Sequence, residues 1–222
     1  MINFHPTNEM LGAFADGLMS PAQALIISAH CDMCSQCATK VALYTDASAE
    51  AIFDQNAPKV DAGVFGDMLS QITSEEVDRG MKVEPRNRVL ELDGRQFVLP
   101  RSLNRLSESM GNWSHMVGKL WQAPVNIGGD NVANFIFMEK GGSVPEHTHR
   151  GSEMTLVVNG EFSDGLADYD SGDFMVMDGS NIHTPSTNSD EGCLVFSIVD
   201  KPLHFTSGWA RLINPFSHLF FK

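Results

Sequence analysis

Eight side chains have the types and the spacing to hold metal ions: His5, His30, Cys34 and Cys37 towards the N-terminus, and His147, His149, Glu153 and His183 further along. On a helix, His30 and Cys34 stand at i and i+4 on one face, and Cys37 can reach the same point from the start of a following helix. The pattern is H-x-x-x-C-x-x-C. A structural zinc site takes four tetrahedral nitrogen or sulfur ligands, so three local ligands call for a fourth. His5 is the only other histidine in that part of the chain. Such a set is formally neutral with two thiolates, and zinc bound there adds about 10–16 kcal/mol of apparent binding energy that is also folding energy. A C-x-x-C redox pair, or buried thiols beside an incidental histidine, is the plainer alternative. Cys31 follows His30 and points elsewhere on a helix, which makes it the weaker ligand candidate.

The second set lies in GGSVPEHTHRGSEMTLVVNG, which reads G-x5-H-x-H-x3-E-x6-G from Gly141 to Gly160. Alternation along a strand puts His147 and His149 on one face, so both imidazoles can meet one ion. A turn at Arg150-Gly151 lets Glu153 return from the next strand, and the segment from Gly172 to His183 offers a fourth ligand. Three histidines and a glutamate suit zinc, iron, manganese or nickel, and geometry decides among them. Two surface histidines on a hairpin are the plain alternative. His115, His204 and His218 lack ligand-like neighbours and are expected to be ordinary core or surface residues. Cys193 stands apart from the other three cysteines and is expected to be buried and inert rather than a redox-sensitive thiol.

The elements that must position these residues fall into two groups. Thr7 or Asn8 can cap a helix to about Ala15 that stops at Gly17, and Ser20-Pro21 gives an N-cap followed by proline at the first helical position. The run from Ala22 to His30 is helix-compatible, and a third helix can continue after CDMCSQC to about Ala51. From about Asp61 to Ile72, Val64, Phe65, Met68, Leu69 and Ile72 recur at helical spacing. Between Ser74 and Asn87 the chain turns polar, with Gly and Pro and no periodicity, as an exposed boundary does. Beyond it, VLELDG, RQFVLP, NFIFMEKGG, MTLVVNGEF, DFMVMDGS and CLVFSIVD are short apolar runs between turn signals, which argues for an antiparallel barrel or sandwich. The expected organisation is α + β in two domains: helical over 1–80, a linker over 81–92, an antiparallel β-domain over 93–205, and an apolar tail over 206–222. The tail is expected to dock on the β-domain, or else to meet a partner.

Composition narrows the function classes. Fifteen basic against 28 acidic residues give a formal net charge of −13, which argues against direct DNA or RNA binding, because that affinity comes largely from Lys and Arg displacing counterions. An acidic chain can instead attract a basic protein partner, including one that itself handles nucleic acid. The start lacks a basic segment followed by an apolar one, and no stretch of about 18 apolar residues occurs. A cytoplasmic location without membrane contact is the expectation, and in that reducing compartment crowded cysteines point to metal or redox chemistry rather than disulfides.

The N-terminal histidine followed by H-x-x-x-C-x-x-C at a helix junction resembles the zinc-binding anti-sigma factors, over about the first 80 residues. That resemblance implies zinc on His5, His30, Cys34 and Cys37 and, as partner, an extracytoplasmic-function sigma factor whose docking on bacterial RNA polymerase is blocked. The second motif resembles the cupin β-barrels and matches their first motif at every fixed position. Their second motif is looser here: Gly172 and His183 fit, but Asp178 stands for Pro, Ser180 for Gly and Thr187 for Asn. Helical zinc domain plus cupin resembles the ChrR type of anti-sigma factor, across nearly the whole chain. The resemblance implies a negative regulator that releases its sigma factor on an oxidative signal felt through the cupin metal. Pairing of two barrels is open as well. A metal-dependent cupin enzyme, a dioxygenase or isomerase, is the competing expectation.

Overall fold

The computed structural model describes residues 1–53, 62–75, 89–116, 118–129, 131–208, 211, 212 and 214. After an N-terminal arm, helix α1 runs Asn8–Ala15 and starts where Thr7 accepts from the Met10 amide (3.2 Å). Helix α2 runs Pro21–Met33, with a capping box between Ser20 and Gln23 and proline in the first turn. That arrangement satisfies amides the first turn cannot pair internally. Helix α3 runs Ser35–Phe53. A 3-10 turn over Ala62–Phe65 then leads into α4, Gly66–Ser74.

The rest is antiparallel sheet. A hairpin of β1 (Val89–Leu92) and β2 (Arg95–Val98) turns at Asp93-Gly94, both at positive φ, the geometry an Asp-Gly pair suits. Residues 89–92, assigned to the linker above, are thus strand, while residues 81–88 lie outside the described set. A 3-10 segment over Arg101–Glu108 follows. The strands that follow are β3 (Ser114–Met116), β4 (Leu120–Val125), β5 (Val132–Met138), β6 (Gly142–Ser143), β7 (His147–His149), β8 (Glu153–Ser163), β9 (Asp168–Asp170), β10 (Phe174–Met177), β11 (Ser186–Thr187), β12 (Cys193–Val199) and β13 (Leu203–Phe205); β7 and β13 pair only with each other, as a separate two-stranded sheet, and the others form the main sheet. Its order is β3-β4-β5-β12-β8-β11-β6, and β9 and β10 also pair with β8.

Strand β12 is buried along its whole length, and the strand period explains how. Cys193 and Val195 face the barrel interior with Val157, Tyr169 and Met177. Leu194, Phe196 and Ile198 face the other way, into a core shared with Leu11, Ile26 and Ile27 of the helices and Leu90 and Phe97 of the hairpin. A sheet face left open in water would expose these side chains; here helices and hairpin cover it. Helix α2 therefore buries two faces: one meets α3, the other the barrel. Burying each such Leu, Ile or Phe contributes about 1.5–3 kcal/mol.

Helix α4 is different. None of its residues is buried, and Met68, Leu69 and Ile72 are 51%, 61% and 63% exposed. Phe65 just before it, and Leu43, Ile52 and Phe53 on α3, are exposed too. From the tail, Asn214 accepts from the Phe205 amide (2.8 Å) and donates to its carbonyl (2.9 Å), which pins that residue against β13. No helix among the described residues is long and apolar enough to cross a membrane.

Two candidate metal centres

Strand β7 carries His147 and His149 on one face, β8 opens with Glu153, and the loop between β10 and β11 brings in His183. His147 and His183 exchange backbone hydrogen bonds in both directions (3.1 Å each), an isolated bridge that fixes one imidazole against the other. The His183 Nε2 atom lies 3.0 Å from Nε2 of both His147 and His149, and His149 Nε2 is 3.2 Å from Glu153 Oε2. Adjacent ligands of one ion, each roughly 2.0–2.1 Å from it, stand at such separations.

The proton arrangement fits an ion as well. His147 donates from Nδ1 to the Pro145 carbonyl (2.8 Å), so in its neutral form the lone pair sits on Nε2, facing the cluster. Burial, with the neighbouring His183, pushes the His147 pKa down to about 4, and burial also lowers that of His149. Convergent nitrogen lone pairs in a dry site are unfavourable unless a cation or proton lies between them. Glu153 is held by the hydroxyl of Ser197, a buried residue facing it from β12.

The departures from the second cupin motif are accommodated locally. Asp178 accepts from the Ser180 amide (2.8 Å) and Asn181 accepts from the Asp178 amide (3.1 Å), so a side-chain-held turn replaces the one Pro and Gly would make. Thr187 is buried and donates to the Glu161 carbonyl (2.7 Å).

In the helical part, His30 leaves α2 one turn before Cys34, the residue between α2 and α3, and Cys37 sits in the first turn of α3. The N-terminal arm lays His5 across the junction, with Nδ1 3.5 Å from Cys34 Sγ and 3.4 Å from Cys37 Sγ. One potential ligand atom from each of the four residues falls within 4.8 Å of all the others. His30 donates from Nδ1 to the carbonyl of Gly172, in the barrel (2.8 Å), and its Nε2 is buried without a hydrogen-bond partner. A buried imidazole nitrogen without a hydrogen-bond partner, grouped with two thiols and a second imidazole, suits a soft or borderline cation. Burial drives the His30 pKa down to about 4 and the Cys37 thiol up to about 12, because a charged imidazolium or thiolate is disfavoured away from water. Cys31 is only half-buried and its thiol, raised to about 11 by burial, is outside the cluster.

All eight residues singled out by spacing are therefore brought together as two fours. The remaining histidines behave otherwise: His115 packs edge-on against Trp121 and His204 meets Arg150, while His218 lies outside the described residues. Cys193 is fully buried in the barrel interior, where burial raises its thiol far above the ordinary range. Sequence reasoning missed the residues behind the ligands, Asp164, Tyr169, Asp173 and Ser197. They belong to no motif: Tyr169 and Ser197 are brought near by the pairing of β9 and β12 with β8, and Asp164 and Asp173 by the turns that flank β9.

A cupin-type barrel with one His/Glu cluster, carrying a helical His/Cys cluster on its outer face, defines an α + β protein with two candidate metal centres. Residues 109–201 match the ChrR cupin-like domain family. The chain is 28% identical to the anti-sigma-E factor ChrR of Cereibacter sphaeroides, over 97% of this chain and 98% of that protein. It is also similar to ChrR in the crystal structure of Rhodobacter sphaeroides SigE in complex with the anti-sigma ChrR, with a TM-score of 0.66 and 25% identity over 90% of this chain and 100% of that one. The resemblance to ChrR-type anti-sigma factors seen in the motifs thus extends over nearly the whole chain, and the α + β architecture is the expected one.

Proposed function

We propose that this chain is an anti-sigma factor: its helical part, residues 1–80, sequesters an extracytoplasmic-function sigma factor in the cytoplasm, and its barrel, residues 93–205, governs release on an oxidative signal. The observation that carries the reading is α4, whose apolar side chains Met68, Leu69 and Ile72 no other described residue covers. Isolated exposed Leu or Met residues need no explanation, but a contiguous row on one helix marks a docking face. The similarity to ChrR, crystallised with SigE, supports a sigma factor as the occupant. Helix-in-groove docking of that kind belongs with long-lived interfaces above about 2,000 Å².

In this reading His5, His30, Cys34 and Cys37 hold zinc, which supplies the cross-link among arm, α2 and α3 that a small helical unit lacks. His147, His149, Glu153 and His183 hold zinc or another divalent transition metal. Neither role involves nucleic acid directly, in line with the net charge of −13.

Co-expression with the sigma factor encoded beside the gene tests the proposal. The expected result is a stoichiometric complex, and Met68→Glu with Leu69→Glu should weaken it at least about 100-fold, the effect of removing interface hot spots. Both side chains are exposed, so thermal stability of the free chain should stay within about 0.5 kcal/mol. No complex, together with turnover of small-molecule substrates by the iron-loaded chain, would replace this reading with the cupin enzyme.

A further inference from the structure

We propose that Asp164 and Tyr169 are positioning residues for His183 and that, through Phe4, they couple the barrel centre to the His5 ligand of the helical centre. This inference rests on the reading that both clusters hold metal. With Nε2 of His183 turned to the barrel cluster, Nδ1 must carry that ring's proton. Nδ1 is buried and has no hydrogen-bond partner within range. The carboxylate facing it is that of Asp164, with Oδ2 at 3.6 Å, just beyond hydrogen-bond length. Histidines that ligate metals commonly donate a hydrogen bond from their other ring N–H to such a carboxylate, which sets ring orientation and basicity.

Asp164 is itself only 1% exposed and tightly located. Its Oδ1 accepts from the amides of Leu166 and Ala167 (2.8 Å each), and its Oδ2 accepts from the Tyr169 hydroxyl (3.1 Å). Burial and the Asp164 charge both raise the Tyr169 phenol above its usual range, so it remains a donor. The carboxylate thus cannot move without the Tyr169 ring, and that ring lies against Phe4 with centroids 4.7 Å apart. Phe4 is chained to the barrel at both backbone atoms: its amide donates to Asp173 Oδ1 (3.0 Å) and its carbonyl accepts from the Phe174 amide (3.0 Å). The next residue is His5, which faces Cys34 and Cys37.

The two centres are therefore joined by contiguous contacts with one covalent step, Phe4 to His5. Spatial continuity alone does not establish coupling; a difference in free energy between states does. A change at the barrel that shifts His183 would alter how firmly the arm presents His5.

The test is a mutant cycle on the full-length chain with cobalt(II) as the probe. The thiolate-to-cobalt charge-transfer band reports the helical centre alone, because the barrel cluster has no thiol ligand. Cobalt affinity at that band is measured by chelator competition in four proteins: unmodified, H147A/H149A to disable the barrel centre, Y169F, and all three changes together. Disabling the barrel should change helical-centre affinity by at least about fivefold, the lower range of allosteric coupling, and by less than about twofold when Tyr169 is Phe. Y169F keeps the ring against Phe4, so a purely structural loss is not expected. Asp164→Asn, a near-isosteric second variant, should abolish the coupling likewise and weaken barrel metal binding about 10-fold or more. An equal effect of the barrel knock-out with Tyr or Phe at 169, or no effect in either, overturns the proposal. No sigma factor is present in the assay, so such a result leaves sequestration standing. A failure of the complex in co-expression with coupling intact would strike sequestration alone. Absence of the thiolate band overturns this proposal together with the assignment of the helical ligands.

Discussion

In the barrel, three of the candidate ligands sit on strands whose register is set by a ladder of backbone hydrogen bonds, and the fourth, His183 in a loop, is bonded to His147 through their main chains. In the helical part, three ligands share a helix junction, while the fourth comes from an arm whose position depends on the barrel. Asp173 accepts from the Asn3 and Phe4 amides (2.6 and 3.0 Å), and a side chain at Gly172, where φ is +93°, would drive into Ile2. The barrel cluster is thus organised by its own sheet. The helical cluster is completed by a surface of the barrel. A protein that must respond to a signal in one place and act in another gains from this asymmetry, because the less self-sufficient site is the one whose ligands can be loosened.

The largest effect should come from removing candidate ligands of the less self-sufficient site. Cys34→Ala with Cys37→Ala leaves His5 and His30 without sulfur partners, and roughly 10 kcal/mol of apparent metal-binding free energy is lost to folding. We expect the full-length double variant to lose one of two bound metals, to lose helical ellipticity, and to lose sigma-factor binding. The barrel metal should stay. Metal analysis beside far-UV circular dichroism checks this; loss of both metals would mean that the barrel centre is no more independent than the helical one.

A smaller effect follows from pH, and it sharpens the comparison because each centre contributes a histidine. In the metal-free chain His30 and His147 are held down to about 4 from an unfolded value of 6.5, chiefly by burial. Between those values the unfolded chain takes up protons that the folded chain refuses. Stability from these groups is therefore complete above about 6.5 and is lost as pH falls through 4. We expect the chelator-treated chain to lose on the order of a few kcal/mol across that window, measured by urea unfolding at stepped pH. His30→Gln should remove part of the dependence, and an unchanged profile in that variant would contradict the burial argument for His30.

Much of this was legible in the chain itself, for reasons that differ between the regions. The starts of α1 and α2 were readable because capping is local chemistry: Thr7, Ser20 and Gln23 declare themselves. The barrel ligands were readable because a strand's period of two and a tight hairpin compress three of them into seven residues. His5 was a candidate only by elimination, since nothing local ties residue 5 to residue 34. The strands β3 and β4 were not legible: HMVGKLWQAPV has Gly, Lys and Pro where a strand pattern would alternate, and its pairing with β5 decides its state instead. The docking of α2 on β8 and β12 was likewise hidden. An apolar run such as ALIISA reads the same whether one face is covered or two, and only the full burial of both reveals the second contact.

The smallest effect is the most discriminating, because it touches neither set of ligands. Asp173 is fully buried and accepts from three amides, those of Asn3, Phe4 and Asp170. Asp173→Ala strands these donors, and each buried unpaired group costs about 1–3 kcal/mol. Solvent can reach the arm once it lifts, so the net loss should fall near the low end for the whole set. The variant should bind barrel metal as tightly as the unmodified chain, yet hold the helical metal less tightly, by about 10-fold, because His5 is no longer presented. Chelator competition on each centre separates the two. If helical affinity is unchanged, the arm finds its place without the barrel, and the asymmetry between the two centres does not exist in solution.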